Sequence, residues 1–389
     1  MSRFLFVVPP FAGHINPAAG VAAELAARGH AVSWVADAEV LTGLVPDDAK
    51  IRHVRLPGAV ARPAPQRGFD ALRFLWERVL VPLAAEMVPA VEDAVAVDQP
   101  DVVVADQQAF AGALVAERFR LPWATSATTS SEFTDPLAAM PKVRDWVAAW
   151  LTELRVRYGD PDKTGDLRYS PHLVLGFTTA DLLGDTASIG ATTRLVGPVT
   201  RSEPDSQLPF DIARPLVYVS LGTVNAAAGE RFLHECVAAL AERPWLRAVV
   251  ADQGGVIADA PENVVVRESV PQLAVLDHAD AVLCHAGHNT VCESLARGVP
   301  LVVAPIRDDQ PIVAEQVVRS GAGLRLRFAR ATSSHIGAAI DTVLSEDTYR
   351  VAARRIARSF RAAGGAVAAA DHLVALAVNP AGPARPDTR

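Results

Sequence analysis

The sequence predicts an α/β protein of two similar halves, each built on a parallel sheet. Three observations carry this. The chain has 389 residues, and at about 150 residues per domain that length favours two domains over one. Short apolar runs alternate with helical stretches in both halves, which is the pattern of β-α-β units. Between the halves, residues 197–215 hold Gly197-Pro198, Glu203-Pro204, Pro209 and Pro215 among polar residues, a linker composition. The expected organisation is a first domain over 1–200, a linker over 201–215, a second domain over 216–378 and a disordered tail over 379–389.

Phe4–Val8 reads as the first strand, a run of five apolar residues ended by Pro9 and Pro10. One basic residue precedes it, as in a signal peptide, but the run is shorter than an h-region of about 7–15 residues. Asn16 followed by Pro17 reads as an N-cap and a first helical residue, so a helix is expected over Pro17–Arg28, closed by Gly29. Ala31–Ala36 is a second strand, Leu80–Val97 a helical stretch, Val102–Ala105 a strand and Ala109–Arg118 a helix. After the linker come a strand over Leu216–Ser220, a helix over Gly229–Glu242, and strands over Arg247–Ala251, Val264–Val266, Ala281–Cys284 and Leu301–Ala304.

Composition excludes several classes of protein. Lys+Arg total 37 and Asp+Glu 44, a formal net charge of −7, so neither nucleic acid nor an anionic membrane is an expected partner. Three cysteines, Cys236, Cys284 and Cys292, are too few and odd in number for a disulfide framework, and they suggest a reducing compartment. No stretch reaches about 18 uninterrupted apolar residues, so no transmembrane helix is expected. A soluble, cytoplasmic protein follows, as a monomer or a homodimer.

Chemistry concentrates at strand ends. His14 lies in Gly13-His14-Ile15-Asn16-Pro17, after the first strand and at the carboxyl edge where open α/β sheets bind ligands. A histidine there is placed to act as a base; it can equally cap a backbone carbonyl. Asp106 ends its strand on the same edge. It can hold the imidazole tautomer and stabilise the imidazolium, or cap the helix that follows, or both. Asp37 sits where an NAD-binding protein holds a ribose, but the G-x-G-x-x-G fingerprint is missing. A dehydrogenase reading fails on that absence.

The densest motif begins at Val270-Pro271-Gln272 and continues through His285-Ala286-Gly287-His288-Asn289-Thr290 and Glu293 to Asp308-Asp309-Gln310. It reads as a strand, a polar loop and a helix. Asn289 and Thr290 fall in the first helical turn, where free N–H groups and the dipole attract an anion. His285 can donate to a phosphate and Glu293 can accept from a ribose hydroxyl. Asp309 and Gln310 can bond the hydroxyls of a sugar. The combination suits a nucleotide-sugar.

This stretch resembles the donor signature of the family-1 glycosyltransferases, which have the GT-B fold of two facing Rossmann-like domains. The loop Gly13–Pro17 and the run Ser220-Leu221-Gly222-Thr223 resemble the same family, and the likeness covers nearly the whole chain. It implies an inverting displacement with His14 as general base and Asp106 as its partner. It implies a donor site of Gly13, Gly222, Thr223, Val270, Gln272, His285, Gly287, Asn289, Thr290, Glu293, Asp309 and Gln310. It implies UDP- or dTDP-sugar as co-substrate, no cofactor and no metal. It also implies a C-terminal helix near Asp347–Ala363 crossing back to the first domain. Two positions depart from the family: Ser269 stands where a tryptophan often stacks on the base, and His288 where plant members have a tryptophan. Asp160-Pro161-Asp162 has the letters of a metal-binding D-x-D motif but lies in a Gly/Pro-containing loop and reads as a solvated turn.

In this family the acceptor lies mostly against the first domain. Candidate segments are Phe69–Trp76 and Glu132–Trp150, with Phe69, Phe74, Trp76, Phe133, Met140, Trp146 and Trp150. Singly, such residues belong to a core; together they suggest an apolar pocket. The expected acceptor is a hydrophobic, hydroxylated small molecule of the natural-product kind, as in antibiotic biosynthesis. The rivals are a GT-B enzyme acting on a lipid-linked or cell-wall acceptor and a non-catalytic auxiliary homologue.

Overall fold

The computed structural model describes residues 1–55, 68–184, 186, 189–199, 215–222 and 226–379, without the side chains of residues 132 and 226–228. Thr223, residues 201–214 of the expected linker and residues 380–389 of the expected tail lie outside the described residues. The chain divides into two units. The first is Met1–Phe177 with Ala187–Thr200 and Ala363–Arg389, and the second is Thr178–Thr186 with Arg201–Ala362.

The first unit holds strands β1 (Arg3–Val7), β2 (Ala31–Ala36), β3 (Lys50–His53), β4 (Val102–Asp106), β5 (Trp123–Ala127), β6 (Leu173–Gly176) and β7 (Thr193–Leu195). All pair in parallel, in the order β3-β2-β1-β4-β5-β6-β7. Alternate residues enter opposite cores: Phe4 and Phe6 pack into one cluster, Leu5 and Val7 into the other. A sheet covered on both faces needs apolar residues on both, which is why β1 and β4 read as continuous runs.

The second unit holds β8 (Leu216–Ser220), β9 (Arg247–Ala251), β10 (Val264–Arg267), β11 (Ala281–Cys284), β12 (Leu301–Val303) and β13 (Gly323–Arg325). They too are parallel, in the order β10-β9-β8-β11-β12-β13. Each unit is a doubly wound Rossmann-like sheet, as expected.

Two expectations shift. The helix Asp347–Ala363 stays with the second unit, where Ala353, Ile356 and Phe360 are buried in its core. The helix that joins the first unit is the next one, Gly365–Val378, whose Ala369, Ala370 and Leu373 pack with Phe4, Phe6 and Ile15. Gly364 and Gly365, at φ 88° and 56°, break the helix between them, a backbone region open to glycine. The expectation of no membrane-length helix also needs amending. The stretch Asp347–Val378 is long and apolar enough by composition to cross a membrane. It is nevertheless broken at this glycine pair, and its apolar second half faces a protein core.

Candidate functional site

In the first unit β1 and β4 are neighbours, so strand order reverses between them and their connections leave on opposite sides. That switch point is where such sheets bind ligands. His14 follows β1 and Asp106 ends β4, and the structure brings the two together. His14 Nδ1 lies 2.9 Å from Asp106 Oδ1 and 3.0 Å from Oδ2. Thr128, just past β5, places its hydroxyl 2.8 Å from the same Nδ1 and donates to Asp106 Oδ2 at 3.3 Å. The Gln108 N–H donates to Asp106 Oδ1 at 2.8 Å. Asp106 thus faces the imidazole and closes the turn after its own strand; it does not cap the helix that follows, whose N-cap is Ala109 with no side-chain cap bond. Its side chain is fully buried while that of His14 retains 18% exposure.

The helix carrying His14 starts earlier than expected. It spans Ala12–Ala27 with Phe11 as N-cap, and Pro17 lies inside it. Asn16 is therefore a helical residue, not the cap. Proline within a helix removes one backbone donor, but entry at Phe11 buries Ile15 and Pro17 and sets His14 in the first turn. Gly13 is exposed in that turn.

The second unit repeats the plan. β8 and β11 are neighbours at its own switch point; Gly222 follows β8 and His285 follows β11. The imidazole of His285 is wedged between two glycines. A Cβ at Gly287 would stand 2.4 Å from His285 Nε2, and a Cβ at Gly222 would stand 2.7 Å from its Cε1. Gly222 also has φ +68°. This explains physically why glycine occupies both positions. His285 Nδ1 is buried with no hydrogen-bond partner among the described residues. Burial pushes the imidazole down to about 4; the Ser220 backbone and Asp309 pull it back up, and Arg307 adds to the fall. At neutral pH the ring is uncharged and carries one N–H.

Gly287 is the N-cap of the helix His288–Ala296, so Asn289 and Thr290 occupy its first turn. Ala286 before it has φ 65°. The His288 ring packs on Cys292, with Sγ 3.5 Å from Nε2. Glu293 accepts from Gln272 Nε2 at 2.5 Å, and the Tyr218 hydroxyl donates to Gln272 Oε1 at 3.1 Å. A core tyrosine thereby orients the amide that holds Glu293. Val270 packs partly buried against the second unit's core. Gln310 is committed to its own loop, its Oε1 accepting from Ile306 N–H at 2.8 Å and Arg307 N–H at 3.1 Å. Asp309 is half-buried beside it as the N-cap of the helix Gln310–Arg319.

The aromatic candidates separate. Phe69 and Trp146 meet edge to face at 5.4 Å, Trp76 and Trp146 at 6.1 Å, and Trp76 stacks on Phe110 at 5.3 Å. Phe74 and Trp150 pack partly buried against the same cluster. Phe133 lies elsewhere, with its ring where a side chain on Gly176 would stand, and Met140 is 46% exposed. Two carboxylates set aside from the sequence have local roles. Asp37 caps the next turn through Glu39 N–H at 3.0 Å, and Asp160 accepts from Asp162 N–H at 3.1 Å. Among the described residues no three His, Cys, Asp or Glu side chains converge as a metal-ligand set.

Sequence reasoning missed Thr128, Tyr218 and Phe110. Thr128 lies in the hydroxyl run Thr125–Ser131, and that density of hydroxyls at a strand end was its only signal. Nothing local distinguishes Tyr218 from its apolar neighbours.

The buried imidazole has a consequence for stability. The folded pKa of His285 lies near 4 and its ordinary value is 6.5, so between these values the unfolded chain binds a proton that the folded chain does not. Stability is full above about pH 6.5 and falls as pH drops toward 4, by roughly 3 kcal/mol from this residue. His172 and His372, also lowered chiefly by burial, act in the same direction. Urea midpoints at pH 7, 6 and 5 should fall in turn, and His285→Gln should flatten the series. A variant as acid-sensitive as the wild type would refute the assignment.

Comparison with known proteins locates this arrangement. The UDP-glucoronosyl and UDP-glucosyl transferase family profile matches residues 211–361, and the glycosyltransferase family 28 N-terminal domain matches residues 12–135. Demethyllactenocin mycarosyltransferase of Streptomyces fradiae is 32% identical, over 97% of this chain and 87% of its own. 4'-Demethylrebeccamycin synthase of Lentzea aerocolonigenes is 30% identical, over 96% and 99%. The solved structure of the kitacinnamycin glycotransferase superposes with a TM-score of 0.82 at 26% identity, over 97% and 98%.

Proposed function

We propose that this chain, which belongs to the family-1 GT-B glycosyltransferases and is a nucleotide-sugar-dependent enzyme acting on a small-molecule acceptor, transfers its sugar with inversion and uses His14 as general base. One observation carries the reading: the contact of 2.9 Å between His14 Nδ1 and Asp106 Oδ1 at the first sheet's switch point. A proton on Nδ1 is accepted by the carboxylate, so Nε2 is the nitrogen that takes the proton of the acceptor hydroxyl. The acceptor oxygen then attacks the anomeric carbon, the bond from that carbon to the diphosphate oxygen breaks, and the nucleoside diphosphate leaves. Asp106 stabilises the imidazolium.

The leaving diphosphate takes its stabilisation from the helix N-terminus at His288–Thr290 and from the neighbouring His285 ring. Glu293, held by Gln272, accepts from the ribose. Asp309 and Gln310 bind the transferred sugar, with Gln310 using Nε2 because its Oε1 serves the loop. The donor is a UDP- or dTDP-sugar; Ser269 is exposed and offers the base no ring to stack on. The acceptor is a hydrophobic, hydroxylated molecule of the kind that the mycarosyltransferase and rebeccamycin relatives are named for. A cytoplasmic location agrees with three buried free thiols.

A thermal-shift screen of UDP- and dTDP-sugars, followed by mass spectrometry of products from an aglycone panel, tests the reading. We expect stabilisation by at least one donor and a glycoside of inverted anomeric configuration, undiminished by a chelator. A retained configuration, or strict dependence on a divalent ion, would overturn it.

A further inference from the structure

Gln107 follows Asp106 directly and is 3% exposed. Both ends of its amide, Nε2 and Oε1, are buried with no hydrogen-bond partner among the described residues. Its backbone N–H is satisfied by Ser126 C=O at 3.2 Å, so the orphaned groups are those of the side chain alone. Asp106 and Gln108 flank it directly, and apolar residues lie beyond them on both sides. Val103 and Ala105 before it, and Ala109, Phe110 and Ala111 after it, all belong to the cluster that contains Trp76 and is flanked by Trp146 and Trp150. A glutamine bracketed by one apolar cluster, with three unmet hydrogen-bonding functions, is expensive to bury. Buried polar groups are almost always satisfied, and an exception calls for a specific partner.

We propose that Gln107 is an acceptor-recognition residue, its amide completed by an oxygen function of the acceptor other than the hydroxyl that is glycosylated. This rests on the reading of His14 and Asp106 as the reacting pair, since Gln107 is the next residue along from Asp106. The chemistry of the amide defines the ligand. Nε2–H donates and Oε1 accepts, so a second hydroxyl can meet either end, and a hydroxyl beside a carbonyl can meet both. The acceptor class is a largely apolar ring system carrying at least two oxygen functions. An acceptor with one hydroxyl leaves the amide unpaired, and a site built to hydrogen-bond its substrate rejects an analogue that lacks the group.

The test compares binding of 2-naphthol and 2,6-dihydroxynaphthalene, by calorimetry, to the full-length wild type and to Gln107→Met. Methionine keeps the length of the side chain and removes its polarity. The wild type should favour the diol by about ten-fold, the worth of one hydrogen bond. Gln107→Met should abolish that preference, bind the mono-ol at least as well, and unfold at the same or a higher urea concentration. Equal binding of both probes by the wild type, including binding of neither, overturns the proposal. So does a preference that survives in Gln107→Met, or a variant that is destabilised, which would mark the amide as satisfied within the fold. The binding arms need neither donor nor turnover, so the base assignment stands or falls separately through His14.

Discussion

Replacing His14 by alanine should lower turnover with a hydroxyl acceptor by about three orders of magnitude, within the range of about 10²–10⁴ that a positioned general base contributes. Donor affinity should be unchanged within about two-fold, because the donor residues other than Gly13 belong to the other unit. Asp106→Asn is the sharper companion. Asp106 accepts from the Gln108 N–H and faces Nδ1 of His14. An asparagine there can turn its NH2 toward the ring, which favours the tautomer with the proton on Nε2 and disables the base while preserving its position. Comparable losses in both variants, with intact donor binding by calorimetry, are the expected result. Turnover within ten-fold of wild type in His14→Ala would remove His14 from the mechanism.

Gly287→Ala should raise the donor KM by roughly ten- to a hundred-fold, as the overpacking costs about 1–3 kcal/mol. Gly287 has φ −64°, which alanine adopts freely, so backbone strain does not enter. The whole effect is steric: the new Cβ would stand 2.4 Å from His285 Nε2, and Gly222 closes the other side of the ring. The imidazole must leave its place beside the helix N-terminus. Gly190→Ala is the control, since among the described residues only Thr193 Oγ1 comes near, at 3.8 Å. Measured donor KM and kcat for both variants decide the matter. A folded Gly287→Ala protein with wild-type donor KM would show that His285 has no part in holding the donor.

Much of this site was legible because its residues sit at the carboxyl ends of strands. The runs Phe4–Val8, Asp101–Asp106 and Ala281–Cys284 announce strands by apolar continuity, and polar residues directly after them mark ligand positions. The first helix starts before Asn16-Pro17 although that pair is a sound local signal. Burial of Ile15 and Pro17 overrides it, and burial is not a local property. β5 was not legible at all: Trp-Ala-Thr-Ser-Ala has no periodicity, yet every residue is buried. Thr128, which stands just past it, was lost with it. The sequence places the returning C-terminal helix one element too early, because Asp347–Ala363 and Gly365–Val378 are both helical and only their buried faces differ.

The sequence by itself therefore determined the α/β class, the two halves, and the motifs that mark a nucleotide-sugar site. Each of these rests on residues close together along the chain, where periodicity and turn chemistry act. Only the tertiary structure decided that His14 and Asp106, 92 positions apart, come within 2.9 Å, that Gly222 and Gly287 clamp His285, and that the amide of Gln107 is left unpaired. Strand order and packing made those decisions. They depend on which strands pair across the sheet, and no local pattern encodes that pairing.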